Sequence, residues 1–459
     1  MPTRLPRVKE PQAWGTSAAP GRQSTVACPL HLFVRGLAFA GVPVQVDARA
    51  LLGKNGGSEA MELGRDSSTL RVLQVTGANA GGVRMHLRHI VPGLCAQGIA
   101  VDLILSPRGT EPDFKADLDM YRDLGCRIGF CYMPRLPSLR HDPPAFMTIR
   151  RCLREWAPAV IHCHATKAGL LGRLAAATVP GVRAVYSPHA FCFEGFQGRL
   201  ARTLGAWMEG VLATRTARLV LVSEAEKEQA VARARIDPAR VRVIENGMPE
   251  SALNGLRSRD EVRAEWGIAP ETVAVGVPGR LAFQKGQDWL LRALRGVDMG
   301  SLGIHFFMCG VGPMEAELRQ QAADWGLAPF LTWKGYVPAL GRQFRAFDLI
   351  LLPSRYEALS YVLLETLAAG VPAVVSDIPS HFPRREIRDL LRPVRFGDDT
   401  ALIAAMKSFC TERGEWAAVG ARGPALVHEH FRLERQVARL AECYREVAGG
   451  VREGVRVES

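Results

Sequence analysis

From residue 69 onward the chain alternates short runs rich in branched apolar residues with longer segments of helical period, and it runs through this alternation twice. Strand patterns fall at residues 70–76, 101–105, 159–163, 184–187, 218–223 and 241–245. They resume at 273–277, 305–309, 330–333, 348–352 and 373–376. Near-continuous Val, Ile and Leu, rather than strict apolar/polar alternation, marks strands buried on both faces, as in a parallel sheet flanked by helices. The pattern predicts an α/β protein with two parallel-sheet domains, at residues 70–250 and 251–430. Residues 251–270 read as a polar linker opening the second. A last helical pattern, 431–448, carries Val437, Leu440, Tyr444 and Val447 on one stripe and is expected to pack back and join the first domain.

Residues 1–69, rich in Pro, Gly, Ser and Ala, read as a flexible extension: either a tail particular to this lineage or the product of a start assigned too early. The 459-residue length allows two separate cores. No apolar run approaches the roughly 18 residues that span a bilayer, and prolines and charges break the amino-terminal segment where a secretion signal would lie. A cytoplasmic protein is expected. None of the ten cysteines forms a C-x-x-C pair, so neither a zinc site nor a disulfide framework is expected. Asp117 and Asp119, spaced as a metal-binding D-x-D, sit in a polar helical pattern and read as a solvated face.

Charge is unevenly spread. Residues 71–247 carry 24 basic and 15 acidic side chains, an excess of +9, whereas residues 248–459 carry 26 of each. That excess points to an anionic partner of the first half. No nucleic-acid recognition module accompanies it, so nucleic acid is not the expected partner.

Several motifs follow strands directly. The turn at residues 77–82 leads into a helix and offers unpaired N–H groups to an anion, but its spacing is not that of a nicotinamide site. After the strand at 273–277, Arg280 and Lys285 place two cations in one loop, suited to a diphosphate. After the strand at 348–352 come Glu357 and Glu365, eight residues apart. Were the whole segment helical, the two carboxylates would project roughly 80° apart; were Glu357 instead in the loop before a helix, its carboxylate and the amides of Ala358, Leu359 and Ser360 could bind sugar hydroxyls while Glu365 binds a ribose. The helix carrying Glu365 is largely apolar, so that carboxylate needs a partner. Among eleven histidines, His189 follows a strand and is the expected site residue. His162 reads as structural, and His164 stands between the two readings.

Together these residues resemble the retaining glycosyltransferases of family 4, of GT-B architecture, over residues 70–448. Glu357 and Glu365 match that family's E-x7-E motif, and Arg280 with Lys285 its diphosphate pair. Gly310-Val311-Gly312-Pro313 is similar to its G-x-G-P turn and Asn246-Gly247 to its N-G element. Gly81-Gly82-Val83 is similar to the amino-terminal glycine loop. Ser187-Pro188-His189-Ala190-Phe191, with residues 160–164 and 167–173, resembles the bacterial surface-polysaccharide branch. The family usually has a glycine pair and P-E where this chain reads Ile378-Pro379-Ser380-His381-Phe382-Pro383, which puts donor contacts from that loop in doubt.

The resemblance implies two Rossmann-like parallel-sheet domains facing across a cleft. It implies a hexosyl transfer from a nucleotide diphosphate sugar, UDP-linked by expectation, with catalytic roles for His189, Arg280, Lys285 and Glu357. The donor would be bound by Gly81, Gly82, Arg280, Lys285, Gly312, Glu357, Ala358, Leu359, Ser360 and Glu365. No metal or cofactor is called for beyond the nucleotide sugar as co-substrate. The basic first half, with Leu200, Leu204 and Trp207 beside Arg199 and Arg202, suits a lipid-linked saccharide acceptor at the anionic inner face of the cytoplasmic membrane. An epimerase or hydrolase on the same fold, or a non-catalytic nucleotide-sugar-binding subunit, is the alternative.

Overall fold

The structure is a computed structural model describing residues 69–455, with 109 and 197 excepted; the expected extension lies outside the described residues. The first sheet has seven parallel strands in the order β3-β2-β1-β4-β5-β6-β7. These are β1 (Arg71–Thr76), β2 (Ala100–Leu105), β3 (Ile128–Phe130), β4 (Val160–His164), β5 (Arg183–Ser187), β6 (Arg218–Leu221) and β7 (Val241–Val243). The second has six, in the order β10-β9-β8-β11-β12-β13. Its strands are β8 (Val273–Pro278), β9 (Ile304–Cys309), β10 (Leu331–Gly335), β11 (Leu349–Leu352), β12 (Ala373–Ser376) and β13 (Arg392–Val394). Both sheets reverse direction of winding beside their first strand, between β1 and β4 and between β8 and β11. Such switch points open a crevice at the carboxyl ends of the strands.

The first domain is wrapped by α1 (Gly81–Ala96), α2 (Phe114–Asp123), α3 (Asp142–Trp156), α4 (Ala165–Ala176), α5 (Arg199–Ala213) and α6 (Glu224–Ala234). Side-chain parity along each strand decides which helices it meets. Leu73, Val75, Ile161 and Cys163 pack with residues of α3 and α4. Val72, Val101, Val160 and Val185 pack with α1 and with Leu440 and Tyr444 of the last helix.

Two strands were not expected from sequence, β3 and β13, each only three residues long. The segment read as a polar linker is instead helical, with a short helix at Glu250–Asn254 and α7 (Arg259–Trp266). Val262 and Arg263 of α7 are buried, and Arg263 donates to the carbonyls of Ala346, Ala269 and Thr272. The segment therefore belongs to the second core. That domain also contains α8 (Gln287–Leu294) and α9 (Tyr361–Ala369), and the last helix of the described residues is α10 (Leu433–Val455).

The chain crosses between the sheets near Gly247 and again near Arg432, and the two crossings touch. Met248 N–H donates to Phe431 O at 2.7 Å and Leu433 N–H to Met248 O at 3.0 Å. A Cβ on Gly247 would lie 2.6 Å from Arg432 O, so glycine is required by this approach.

Within the first domain a fully buried ion pair, Arg173 to Glu209 at 2.8 Å, ties α4 to α5, and Tyr186 of β5 donates to the same carboxylate. Removing one partner strands the other charge in the core. Glu209→Ala is expected to destabilise the protein by about 3–5 kcal/mol, read as a lowered midpoint of urea unfolding. An unchanged midpoint would show that Arg173 finds water or another acceptor.

Candidate active site

The loops at the carboxyl ends of β8, β9 and β11 are locked together by backbone contacts. A Cβ on Gly312 would meet Leu281 O at 2.2 Å, and one on Gly310 would meet Gly279 O at 2.1 Å. The glycines thus let the β9 loop lie directly on the loop that carries Arg280. Arg355 N–H donates to Gln284 O at 2.8 Å, and its guanidinium holds Asp288 at 2.5 and 2.7 Å. Lys285 Nζ meets Glu357 Oε1 at 2.5 Å, and Ser354 and Gln284 also donate to that carboxylate. Two residues expected to hold different parts of a substrate are paired with each other.

Arg280 has no carboxylate partner among the described residues. Its pKa is lowered, first by burial and then by the nearby cations Arg135 and Arg108 of the first domain. Neither of those arginines is ion-paired among the described residues. Glu111, itself held by Arg84, offsets Arg280 only in part, and like charges gathered in this way at a cleft favour an anion there.

Of the two placements that the spacing allows, Glu357 takes the one in the loop before α9, and Ser360 is that helix's N-cap. No acceptor is found among the described residues for the amide N–H groups of Ala358, Leu359 and Ser360. Glu365 lies within α9 beside Gly341, where its side chain leaves no room for a Cβ. Its carboxylate has no hydrogen-bond partner among the described residues, and burial pushes its pKa up to about 7. The loop that departs from the family pattern forms a short 3-10 turn, Pro379–His381. His381 there is buried and donates through Nδ1 to Ser376 O at 2.9 Å.

The glycine turn after β1 differs from expectation. Gly81 N–H at the start of α1 donates to Glu111 at 2.9 Å, so a carboxylate of the chain itself caps the helix. Arg84, buried one turn later, gathers Glu111, Asp113 and Asp117 at 2.5 Å each, and Asp113 accepts from Tyr336 of the second domain at 2.6 Å. Asp117 is therefore not solvated: Arg84 draws it into the interior, while Asp119 pairs with Arg122 at the surface.

His189 and Ala190 both have left-handed backbones, with φ of 51° and 79°. This is strained for side chains other than glycine. Glu226 of α6 holds the turn, accepting from Ala190 N–H at 3.2 Å and Val222 N–H at 2.9 Å. His189 hydrogen-bonds to none of Arg280, Lys285 or Glu357. It meets His164 at 3.0 Å and packs edge-on against His86 of α1, with ring centroids 4.8 Å apart. Ligand nitrogens of His86, His164 and His189 all lie within 4.8 Å of one another, a set that is chemically able to take a metal ion. His162 is fully buried between Tyr444 at 2.6 Å and Ser187 at 3.0 Å. Burial holds all four imidazoles neutral at pH 7, His86 with a pKa lowered to about 4.

Sequence reasoning missed His86, Gln74 and Glu226, which carry no motif, and read Tyr444 only as part of an apolar stripe. It also missed Glu194, which takes a hydrogen bond from Gln229 at 2.8 Å and has its pKa raised by burial.

Two family models match the chain, Glycosyltransferase Family 4 over residues 80–251 and Glycosyl transferases group 1 over residues 272–412, together more than half of it. The UDP-Gal:alpha-D-GlcNAc-diphosphoundecaprenol alpha-1,3-galactosyltransferase of Escherichia coli is 27% identical over 52% of this chain and 63% of its own length. The lipopolysaccharide core biosynthesis mannosyltransferase LpsB of Rhizobium meliloti is 27% identical over 44% of this chain and 60% of its own length. The chain thus spans less than two thirds of each. Among solved structures, Anabaena HepE in complex with UDP and glucose superposes with a TM-score of 0.68 at 18% identity, over 82% of this chain and 100% of HepE. WaaG, a glycosyltransferase involved in lipopolysaccharide biosynthesis, gives 0.62 at 16% identity, over 82% of this chain and 99% of its own. The two-sheet architecture is that of these GT-B structures.

Because the folded pKa of Glu365 lies above its ordinary value, its burial costs nothing below about pH 4.5 and increasingly destabilises the fold as pH rises towards 7. Glu365→Gln removes that penalty. The variant is expected to be more stable than the wild type at pH 8, by on the order of 2–3 kcal/mol, and equal to it at pH 4.5. Equal thermal midpoints at both pH values would show that Glu365 is solvated.

Proposed function

We propose that this chain, which belongs to the family 4 glycosyltransferases, moves a sugar from a nucleotide diphosphate donor to a hydroxyl acceptor with retention at the anomeric carbon. The observation that carries the reading is Arg280, with no carboxylate paired to it among the described residues, beside the Lys285–Glu357 pair, with Arg135 and Arg108 across the cleft. Breaking the glycosidic bond to phosphate loads negative charge onto the diphosphate. Arg280 and Lys285, held in place beforehand by the locked loops, stabilise that charge as it forms. When the diphosphate takes Lys285, the Glu357 carboxylate is released towards the sugar hydroxyls. The unpaired amides of Ala358, Leu359 and Ser360 offer further donors, and Glu365 takes the ribose hydroxyls, whose O–H groups supply the partner it lacks. His189 borders the reacting face.

The printed name of the E. coli relative describes a UDP-sugar donor and a lipid-diphosphate-linked acceptor, and we carry both classes over to this chain. No helix of the described residues is long and apolar enough to cross a membrane, so such an acceptor would be met at a surface. On α5, Leu200, Leu204 and Trp207 are 73%, 55% and 56% exposed, at the i, i+4, i+7 spacing of one stripe, with Arg199 and Arg202 beside them. An apolar stripe edged with arginine suits the boundary of an anionic membrane. We place the protein in the cytoplasm, peripheral on the inner face.

Lys285→Ala is expected to lower turnover of a nucleotide-sugar donor by about 10²–10³ while the far-UV circular dichroism stays unchanged. Wild-type turnover is expected to persist in EDTA, because side chains meet the phosphate charge. Near-normal turnover in Lys285→Ala would remove the assignment. Loss in EDTA that zinc restores would move attention to the His86, His164 and His189 cluster.

Binding to anionic vesicles is expected to weaken as salt screens exposed charges beyond about 8 Å at physiological ionic strength. It should fall further when Leu204 and Trp207 are replaced by Ser. Indifference to anionic vesicles at low salt would end the membrane reading.

A further inference from the structure

We propose that Tyr444, on the carboxy-terminal helix, sets the tautomer of His189 through a directed chain of buried hydrogen bonds, leaving His189 Nδ1 without a proton and therefore only able to accept. The inference rests on reading His189 as a residue of the sugar-transfer site. It makes Tyr444 a positioning residue, remote in sequence from every motif.

The direction of the chain follows from its far end. The Val220 carbonyl can only accept, and Ser187 Oγ stands 2.7 Å from it, so the single hydroxyl proton of Ser187 goes there. Ser187 Oγ must then accept from His162 Nε2 at 3.0 Å, which puts the proton of that neutral ring on Nε2 and leaves Nδ1 bare. Tyr444 donates its hydroxyl proton to that bare nitrogen at 2.6 Å. The Tyr444 oxygen in turn accepts from Gln74 Nε2 at 3.2 Å, which orients the amide with Oε1 towards His164. His164 therefore carries its proton on Nε2, donating to Gln74 Oε1 at 2.7 Å. Its bare Nδ1 accepts from His189 Nε2 at 3.0 Å. His189, its one proton spent on Nε2, presents a bare Nδ1.

Every other assignment leaves two protons or two lone pairs facing each other among buried groups, where the mismatch is costly. Gln74, His162, His164 and Tyr444 are all fully buried and Ser187 nearly so. His189 is only half-buried, and its Nδ1 has no partner among the described residues yet is not sealed off from solvent. His86 stands outside the chain with the opposite tautomer: its Nδ1 donates to Asn246 Oδ1 at 3.2 Å.

A bare imidazole nitrogen orients a sugar hydroxyl by accepting its proton, whereas an N–H there would ask for the oxygen lone pair instead and turn the hydroxyl away. The chemistry that fits His189 Nδ1 is therefore a donating hydroxyl of the transferred sugar or of the acceptor.

Long-range nitrogen–proton correlation spectra of the 15N-histidine-labelled full chain at pH 7 test the assignment directly. His162, His164 and His189 are expected in the Nε2–H form and His86 in the Nδ1–H form. A proton on His189 Nδ1 in the wild type overturns the proposal, and this measurement needs no variant. In Tyr444→Phe the Gln74 amide is free to turn over. His164 and His189 should then show a second, Nδ1–H population of about a tenth or more, while His162, still anchored through Ser187, stays as it was. An unmixed His189 in that variant also overturns the proposal, because a purely structural tyrosine would alter stability and leave the tautomer alone. The reading of His189 fails separately: if His189→Ala keeps wild-type turnover while the spectra are as expected, the relay stands and the site role does not.

Discussion

The side chain of Asn246 joins four parts of the chain that have no covalent reason to meet. It is buried where the chain first crosses between the domains, and its amide donates to Leu359 O at 2.7 Å in the loop that carries Glu357. Its oxygen accepts from Gln436 of α10 and from His86 of α1. Gln436 returns the contact by accepting from Gly247 N–H at 2.9 Å. A buried amide has no water to fall back on, so each contact is worth most when all are made together. Through this node the entry to the second domain, the return to the first, the histidine cluster and the sugar-side loop share one geometry.

The same logic explains why a polar chain runs through the first domain's interior. Along β1, β4 and β5 the face that packs Val72, Val160 and Val185 turns polar towards the carboxyl ends, at Gln74, His162, His164 and Ser187. Register puts these side by side, with Thr76 opposite His164 and His164 opposite Ser187. Such a row is costly to bury unless fully paired. Tyr444, reaching in from α10, completes the pairing. The carboxy-terminal helix is thus both an apolar lid, with Val437, Leu440 and Val447, and the source of the one hydroxyl that the row needs.

On the opposite wall the electrostatics are held in waiting. Lys285 and Glu357 neutralise each other, Glu111 occupies the helix start that a ligand's anion could take, and Arg280 has no paired carboxylate among the described residues. A diphosphate entering this cleft would exchange internal pairs for its own contacts, at less cost than drawing isolated charges out of water. Arg135 and Arg108 bring part of the first domain's +9 excess to the same place, which gives the charge asymmetry seen along the chain a local meaning.

Much of this was legible in the amino-acid sequence, for a definite reason. Strand periodicity, glycine turns and charged loops are local properties, so two parallel sheets and motifs at their carboxyl ends could be read directly, whereas the eight-residue spacing of Glu357 and Glu365 left open whether Glu357 lies in the helix or, as found, before α9. Short elements escaped: three residues at β3 or β13 make no period, and polar α7 looked like a linker because its buried Arg263 is satisfied by the Ala346 carbonyl and the Asp348 carboxylate, more than eighty residues on, as well as by nearby carbonyls. Asp117 was read as solvated because nothing in its own helix announces Arg84. The histidine relay was least visible of all. Gln74 and Tyr444 are 370 residues apart; spacing marks Tyr444 only as part of an apolar stripe, and nothing local marks its hydroxyl or the Gln74 amide as partners. What the sequence by itself determined is where chain direction changes and which chemical groups stand at those places. Which group gives a proton to which was decided only by strand register and by the packing of α10, because a hydrogen bond is a relation in space that no local pattern carries.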